Sequence, residues 1–339
     1  MRSWNVRSWN VPRPLLIACA AVLVAAPASD GSGFLVSVAT LTAINAVFAL
    51  SLTLVYGMGG MISLAQVGFG AVAAYLVVLG TQKEGYPFVP VLLVALAAVV
   101  VLALVLGLPV TRLSGIYFLT ATFAFTEVLR LVAVNWTPVT GGQIGTVIEY
   151  EGLTRLPGAA AFGTFLSPDL ADYMAALVLL ALTVWVVWSY RQSRSGRNLM
   201  SLRDNERLAT ALGVRAVPER LMAFAVSAVI AALGGVFLAY YNGIADSTSM
   251  NVTQSIDLLI IVIVGGVQSI RGAVVGAVVV TVVPELLQLS VDLRPILYGL
   301  LLIAFATRLR LGIVGELQRL WRARSSAGPR TPLAEGAPS

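Results

Sequence analysis

Residues 184–243 read VWVVWSYRQSRSGRNLMSLRDNERLATALGVRAVPERLMAFAVSAVIAALGGVFLAYYNG. Two long apolar runs enclose a polar stretch that carries seven arginines between Arg191 and Arg220. A helix needs about 20 apolar residues to cross a hydrocarbon core of about 30 Å. Arginines clustered between two such runs mark the side of the membrane on which their loop stays. The segment therefore reads as helix, cytoplasmic loop, helix.

The same reading extends outward along the chain. Apolar runs between turn and charge signals predict spans at about 14–29, 34–55, 61–80, 88–108, 115–134, 171–190, 220–241, 254–270, 272–290 and 294–308. With the N-terminus inside, 18 of the 22 lysines and arginines fall on the cytoplasmic side. Lys83, Arg130, Arg155 and Arg294 fall outside, and inverting the spans would reverse the ratio. The predicted fold is an all-α polytopic membrane protein of about 8–10 transmembrane helices in one bundle, with cytoplasmic N- and C-termini. Residues 1–13 form a cytoplasmic segment, 14–134 a first helix group and 135–170 an external loop. A second group fills 171–308, including a cytoplasmic loop at 191–219, and the small, Pro-rich tail 309–339 is expected to be disordered. Three arginines, an apolar run and Ala26-Pro27-Ala28 also resemble a secretory signal. With nine more stretches following, the run reads as a retained first helix.

Composition excludes much. The 339 residues are 58% hydrophobic and 11% charged, with mean hydropathy +0.89, which leaves no room for a soluble catalytic domain. The net charge of +6 sits at membrane-flanking positions, so it reads as topology and not as a nucleic-acid surface. Histidine is absent and Cys19 is the one cysteine, so an internal disulfide is impossible and metal or cofactor sites are not expected. Lys83, the one lysine, is followed by Glu84, so no phosphate-binding loop of the G-x-x-x-x-G-K-[ST] type exists. Any ATP must be hydrolysed by another chain.

Two segments are irregular. Tyr56-Gly57-Met58-Gly59-Gly60, followed by small and polar residues from Ser63 to Gly70, reads either as a cytoplasmic turn before a closely packed helix or as a broken helix beside a pathway. The external stretch 135–170, with Gly141-Gly142 and Pro157-Gly158, reads as a loop with short helices or a hairpin. Gly272 and Gly276, with Gly234-Gly235 and Gly265-Gly266, predict close helix packing.

Within the arginine loop, Ser201 with Asp204 three residues on predicts a helix start, and Gly213 a left-handed end. The resulting helix of about three turns carries Leu208, Ala211 and Leu212 on one apolar face. From the residues alone, a membrane surface and a groove on a partner protein are equally good homes for that face. In the spans, Glu127 lies one turn from Arg130, either as a structural pair or beside a pathway. Glu285 follows Pro284, whose kink would open it to a cavity, and Gln66, Thr120 and Thr122 are further pathway candidates.

Several of these stretches together resemble a known family. SGRNLMSLRDNERLATALGV followed by AALGGVFLAYYNG is similar to the cytoplasmic loop of permeases in branched-chain amino acid ABC importers, in particular the LivM type. GMGGMISLAQVGFGAVAAYL, SGIYFLTATFAFTEVLRLVAVNWTPVTGGQIG and LLIIVIVGGVQSIRGAVVGAVVVTVVPELL agree in order, over about residues 40–315. At Arg308-Leu309-Arg310-Leu311 the usual arginine-proline-arginine-glycine signature is altered. The resemblance implies a multi-pass subunit of the bacterial plasma membrane that is not itself an ATPase. It pairs with a second homologous permease, two cytoplasmic ATP-binding subunits and an extracytoplasmic substrate-binding protein, within membrane lipid. It also implies a coupling helix for the ATPase, here at Arg203, Asp204, Asn205, Glu206, Ala209, Leu212 and Gly213. Branched-chain amino acids are the cargo it implies, with urea, short amides or other small solutes the alternative within the superfamily. A stand-alone secondary transporter or channel is the competing class, and an intramembrane enzyme finds no Ser-His pair or metal cluster to support it.

Overall fold

The computed structural model describes residues 33–113, 115–149, 167–247, 251–286 and 299. The predicted span at 14–29, that at 294–308 apart from residue 299, and the tail lie outside the described residues. Among the described residues six helices are long and apolar enough to cross a membrane. They are Phe34–Met58, Ala65–Lys83, Phe88–Val110, Ile116–Asn135, Pro168–Gln192 and Ala216–Asn242. A bent pair brings the number to seven if it counts as one span.

Helix α1 (Phe34–Leu52) is apolar on all sides and buried along nearly its whole length, as such a helix must be. It continues into a π-helical stretch at Thr53–Met58, and α2 (Ala65–Val78) likewise ends in one at Leu79–Lys83. Then come α3 (Phe88–Val110), α4 (Ile116–Asn135), the single turn α5 (Thr137–Thr140) and α6 (Pro168–Gln192). Two short helices, α7 (Arg194–Asp204) and α8 (Glu206–Ala211), lead into α9 (Ala216–Asn242). Helices α10 (Val252–Gly265) and α11 (Ile270–Leu286) complete the set.

One core runs through both predicted helix groups: α1 is wrapped by α6, α9 and α11, and α9 lies against α2 and α3. Small residues make this possible. A Cβ on Gly235 would stand 2.2 Å from the Gly70 carbonyl oxygen, so α9 and α2 touch backbone to backbone. The outward residues of α3, among them Val89, Leu93, Val101, Val105 and Leu108, are all aliphatic, as a lipid-facing surface requires. Trp185 and Trp188 are exposed near the arginine-rich end of the bundle, with Tyr86 and Trp136 exposed at the opposite end, giving two aromatic belts.

At four places the structure sharpens or corrects the sequence reading. The spans read at 254–270 and 272–290 correspond to α10 and α11, which are bent by 119° at a short break. A helix of 14 residues is only about 21 Å long, and the pair is held instead by close approach, a Cβ on Gly276 falling 2.0 Å from the Ile261 carbonyl oxygen. The single helix at 202–212 is divided at Asn205, which is extended (φ −157°) and caps α8 with its side chain, while Ser193 caps α7. Ser201 therefore lies inside a helix and starts nothing. Of the two readings of the external stretch, short helices hold at α5 (Thr137–Thr140), and β1 (Thr146–Val147) pairs antiparallel with the distant β2 (Ile244–Ala245). Finally, the irregular segment after Tyr56 is no simple turn: Gly60–Leu64 runs without helical structure into the bundle, with Met61 and Ser63 buried. Irregular backbone at this depth is tolerated because protein covers it.

Candidate functional site

Two regions hold the predicted residues: an arm at the arginine-rich end and a polar seam inside the bundle. The arm is α7 and α8. Its base is fastened by charge: the Arg220 guanidinium donates to Glu206 at 2.8 Å, and the Asn198 amide donates to Glu219 at 2.7 Å. Leu199 and Leu202 are buried beneath α7. The tip is closed by a Schellman turn, in which the Val214 N–H reaches the Ala209 carbonyl and the Gly213 N–H that of Thr210, both at 3.0 Å. Gly213 takes φ +90°, the conformation that favours glycine.

The seven residues that the resemblance marks for a coupling helix divide between these roles. Arg203 and Asp204 form an ion pair at 2.7 Å at the end of α7, and Asn205 caps α8. Glu206 secures the base, Ala209 is buried, and Gly213 shapes the turn. Leu212 is 77% exposed and Leu208 58%, so the apolar face expected from the sequence points away from the fold. An α8 of six residues is too short to stand alone and depends on what it is anchored to.

The seam lies where Leu64 enters α2. Its N–H donates to the Thr122 hydroxyl at 3.2 Å, and its carbonyl accepts from Thr126 at 3.0 Å and from Ser255 at 3.4 Å. Ser63 is buried beside it and its hydroxyl accepts the Ala65 N–H at 3.2 Å. One residue further, Gln66 is 0% exposed, and neither end of its amide finds a partner among the described residues. Burying an amide unpaired is costly, so its presence calls for a reason other than packing.

Gln66 and Thr122 thus come together at the seam. Thr120 and Glu127 do not join them. Thr120 lies on the exposed side of α4, its hydroxyl bonded to the Ile116 carbonyl of its own helix. Glu127 pairs with Arg130 at 2.5 Å in a two-pronged contact, half-buried on that helix. Tyr117, Thr120, Val128 and Leu131 share that exposed face, which mixes polar and apolar side chains as the α3 surface does not. The backbone of Glu285 is in α11; its side chain lies outside the description.

Thr126, Ser255 and the reach of Arg203 were not foreseen. The signal for Thr126 was present, since it stands four residues after Thr122 and so on the same helical face. At the end opposite the arm, Lys83 donates to the Val139 carbonyl at 2.7 Å and Gln82 exchanges two bonds with Glu149, so the loop after α4 is laced to the end of α2.

A single bundle of apolar helices with a polar seam and an anchored arm has the build of a multi-pass membrane protein. The chain belongs to the family of branched-chain amino acid transport system permease components, whose model matches residues 34–306. It is 30% identical to the high-affinity branched-chain amino acid transport system permease protein LivM of Escherichia coli (strain K12), over 80% of this chain and 68% of that one. It is also similar to the galactose/methyl galactoside import permease protein MglC of Salmonella typhimurium, at 24% identity over 64% of this chain and 67% of that protein. The autoinducer 2 import system permease protein LsrC of Salmonella typhi is 28% identical, over 60% and 64%. No solved structure matches the chain. Family and helices together make it a multi-pass protein of the bacterial plasma membrane.

Proposed function

We propose that this chain forms the translocation pathway of an ATP-binding-cassette importer for branched-chain amino acids, with ATP hydrolysis carried out by two separate cytoplasmic subunits. A second homologous permease and an extracytoplasmic binding protein complete the assembly. The observation that carries this reading is the anchored arm with Leu208 and Leu212 uncovered. An apolar face on so short a helix gains most by entering a groove on another protein. Family membership and the permease LivM favour branched-chain cargo over the sugar and autoinducer cargoes named for the more distant relatives.

The pathway in this reading follows the mixed face of α4, with Thr120 and Glu127, and the seam at Gln66 and Thr122. Glu285 on α11 is a further candidate for its wall. A stand-alone ion-coupled carrier fits less well, because Glu127, its best titratable candidate, is held by Arg130. Co-purification with the ATPase subunits tests the docking: Leu212→Glu should abolish it while the permease pair stays intact. Undiminished recovery of the ATPases with that variant would remove the arm from the interface.

A further inference from the structure

We infer that residues Gly57–Leu64 are the transmission element between the arm and the pathway helices, and that Arg203 is the positioning residue that joins the arm to it. The inference rests on the proposed importer function and assigns a route within it.

Four contacts meet on this one segment. At its start, the Arg203 guanidinium donates to the Gly57 carbonyl while its other nitrogens hold Asp204 at 2.7 and 3.0 Å. The arm therefore grips the segment through a side chain that is already oriented from behind. Gly60, at φ +71°, lies under the same side chain, and a Cβ there would stand 2.7 Å from Arg203 Cγ. Gly57 also presses on the break between α10 and α11, since a Cβ on it would fall 2.2 Å from the Val267 carbonyl oxygen. At its far end Leu64 is held by Thr122 and Thr126 of α4 and by Ser255 of α10.

The chemistry of these contacts decides how motion passes. Leu64 is half-buried, and its N–H and carbonyl are both held by hydroxyls on other helices, so its bonds to Thr122, Thr126 and Ser255 carry it with them when the arm shifts. The π-helical turn Thr53–Met58 runs into the start of the segment, a backbone form that recurs at functional sites. A displacement of Arg203 thus reaches α4 and the bent α10–α11 pair through backbone, without requiring any of the bonds along it to break. Thr120 and Glu127, on the outward side of the same α4, move with it.

The test uses the complete reconstituted transporter, with leucine as cargo, and reads leucine carried per ATP hydrolysed. Thr126→Val removes the hydroxyl that holds the Leu64 carbonyl and nearly preserves shape. Arg203→Gln removes the charged grip on Gly57. Each should lower the coupling ratio about tenfold, the worth of one hydrogen bond, and with Thr126→Val the ATPases should still co-purify. Because both act on one line, the double variant should be no worse than either single. Thr126→Ser should restore coupling. Full coupling in Thr126→Val, or losses in the double variant that multiply to about a hundredfold, would overturn the inference. If Thr126→Val does not yield a folded complex, Ser255→Ala removes the second donor to the same carbonyl and is read the same way. Wild-type transporter without ATP-driven uptake would overturn the importer reading together with this one; coupled wild type with coupled variants would overturn the transmission route alone.

Discussion

Gln66 is the residue whose position is hardest to explain by packing. A fully buried amide with both ends unpaired among the described residues costs roughly 1–3 kcal/mol relative to an apolar side chain of the same size. Gln66→Met should therefore raise the thermal unfolding temperature of the purified permease and at the same time reduce uptake. A variant that is both more stable and fully active would make Gln66 a packing accident. Asn205 presents a simpler case. Its side chain accepts the Leu208 N–H at 3.0 Å and separates α7 from α8. Asn205→Ala should cost about 1 kcal/mol of local stability, visible as faster hydrogen exchange at 206–211 with the bundle unchanged. Both residues were singled out from the sequence, Gln66 for the pathway and Asn205 for coupling. Only the fold shows that one is unpaired and that the other is a cap.

At the scale of elements, close approach is the main constraint. Gly235 meets Gly70, and Gly276 meets Ile261, with backbone atoms in the space a side chain would need. Backbone cannot move aside as a flexible side chain does, so Gly235→Leu should destabilise the bundle by about 3 kcal/mol, read as loss of monodisperse protein in detergent. Gly213→Leu, with open space around it and a strained φ, should leave the bundle folded and disturb the arm alone. The long helices were legible in the sequence because apolar length and arginine placement act locally: the spans read at 34–55, 88–108, 115–134, 171–190 and 220–241 each match a helix within a few residues. The bend after Gly265 was not legible, because Val-Gly-Gly-Val is compatible with a continuing apolar run and only the contact with Gly272 and Gly57 resolves it. Nor was the pairing of Thr146–Val147 with Ile244–Ala245, which joins two-residue strands about a hundred residues apart and leaves no periodicity to read.

For the whole molecule, the arm and the polar seam define one axis. The arm, Trp185 and Trp188 share the arginine-rich end, which in the proposed importer faces the cytoplasm by charge asymmetry. Single cysteines placed at Leu212 and at Trp136, in a Cys19→Ser background, should label from opposite sides of intact cells. Leu212 should react with an impermeant thiol reagent only after the membrane is opened. In the proposed importer the arm is where the ATPases act, and the seam is the route by which their work reaches the cargo.

Uptake by the complete assembly tests the central claim most directly. Proteoliposomes holding this chain, its sister permease and the ATPases, with the binding protein and leucine on one side and ATP on the other, should accumulate leucine. The same vesicles with Leu212→Glu should bind leucine-loaded binding protein normally and accumulate none. Accumulation driven by this chain alone under an ion gradient, or undiminished ATP-driven uptake with Leu212→Glu, would contradict it.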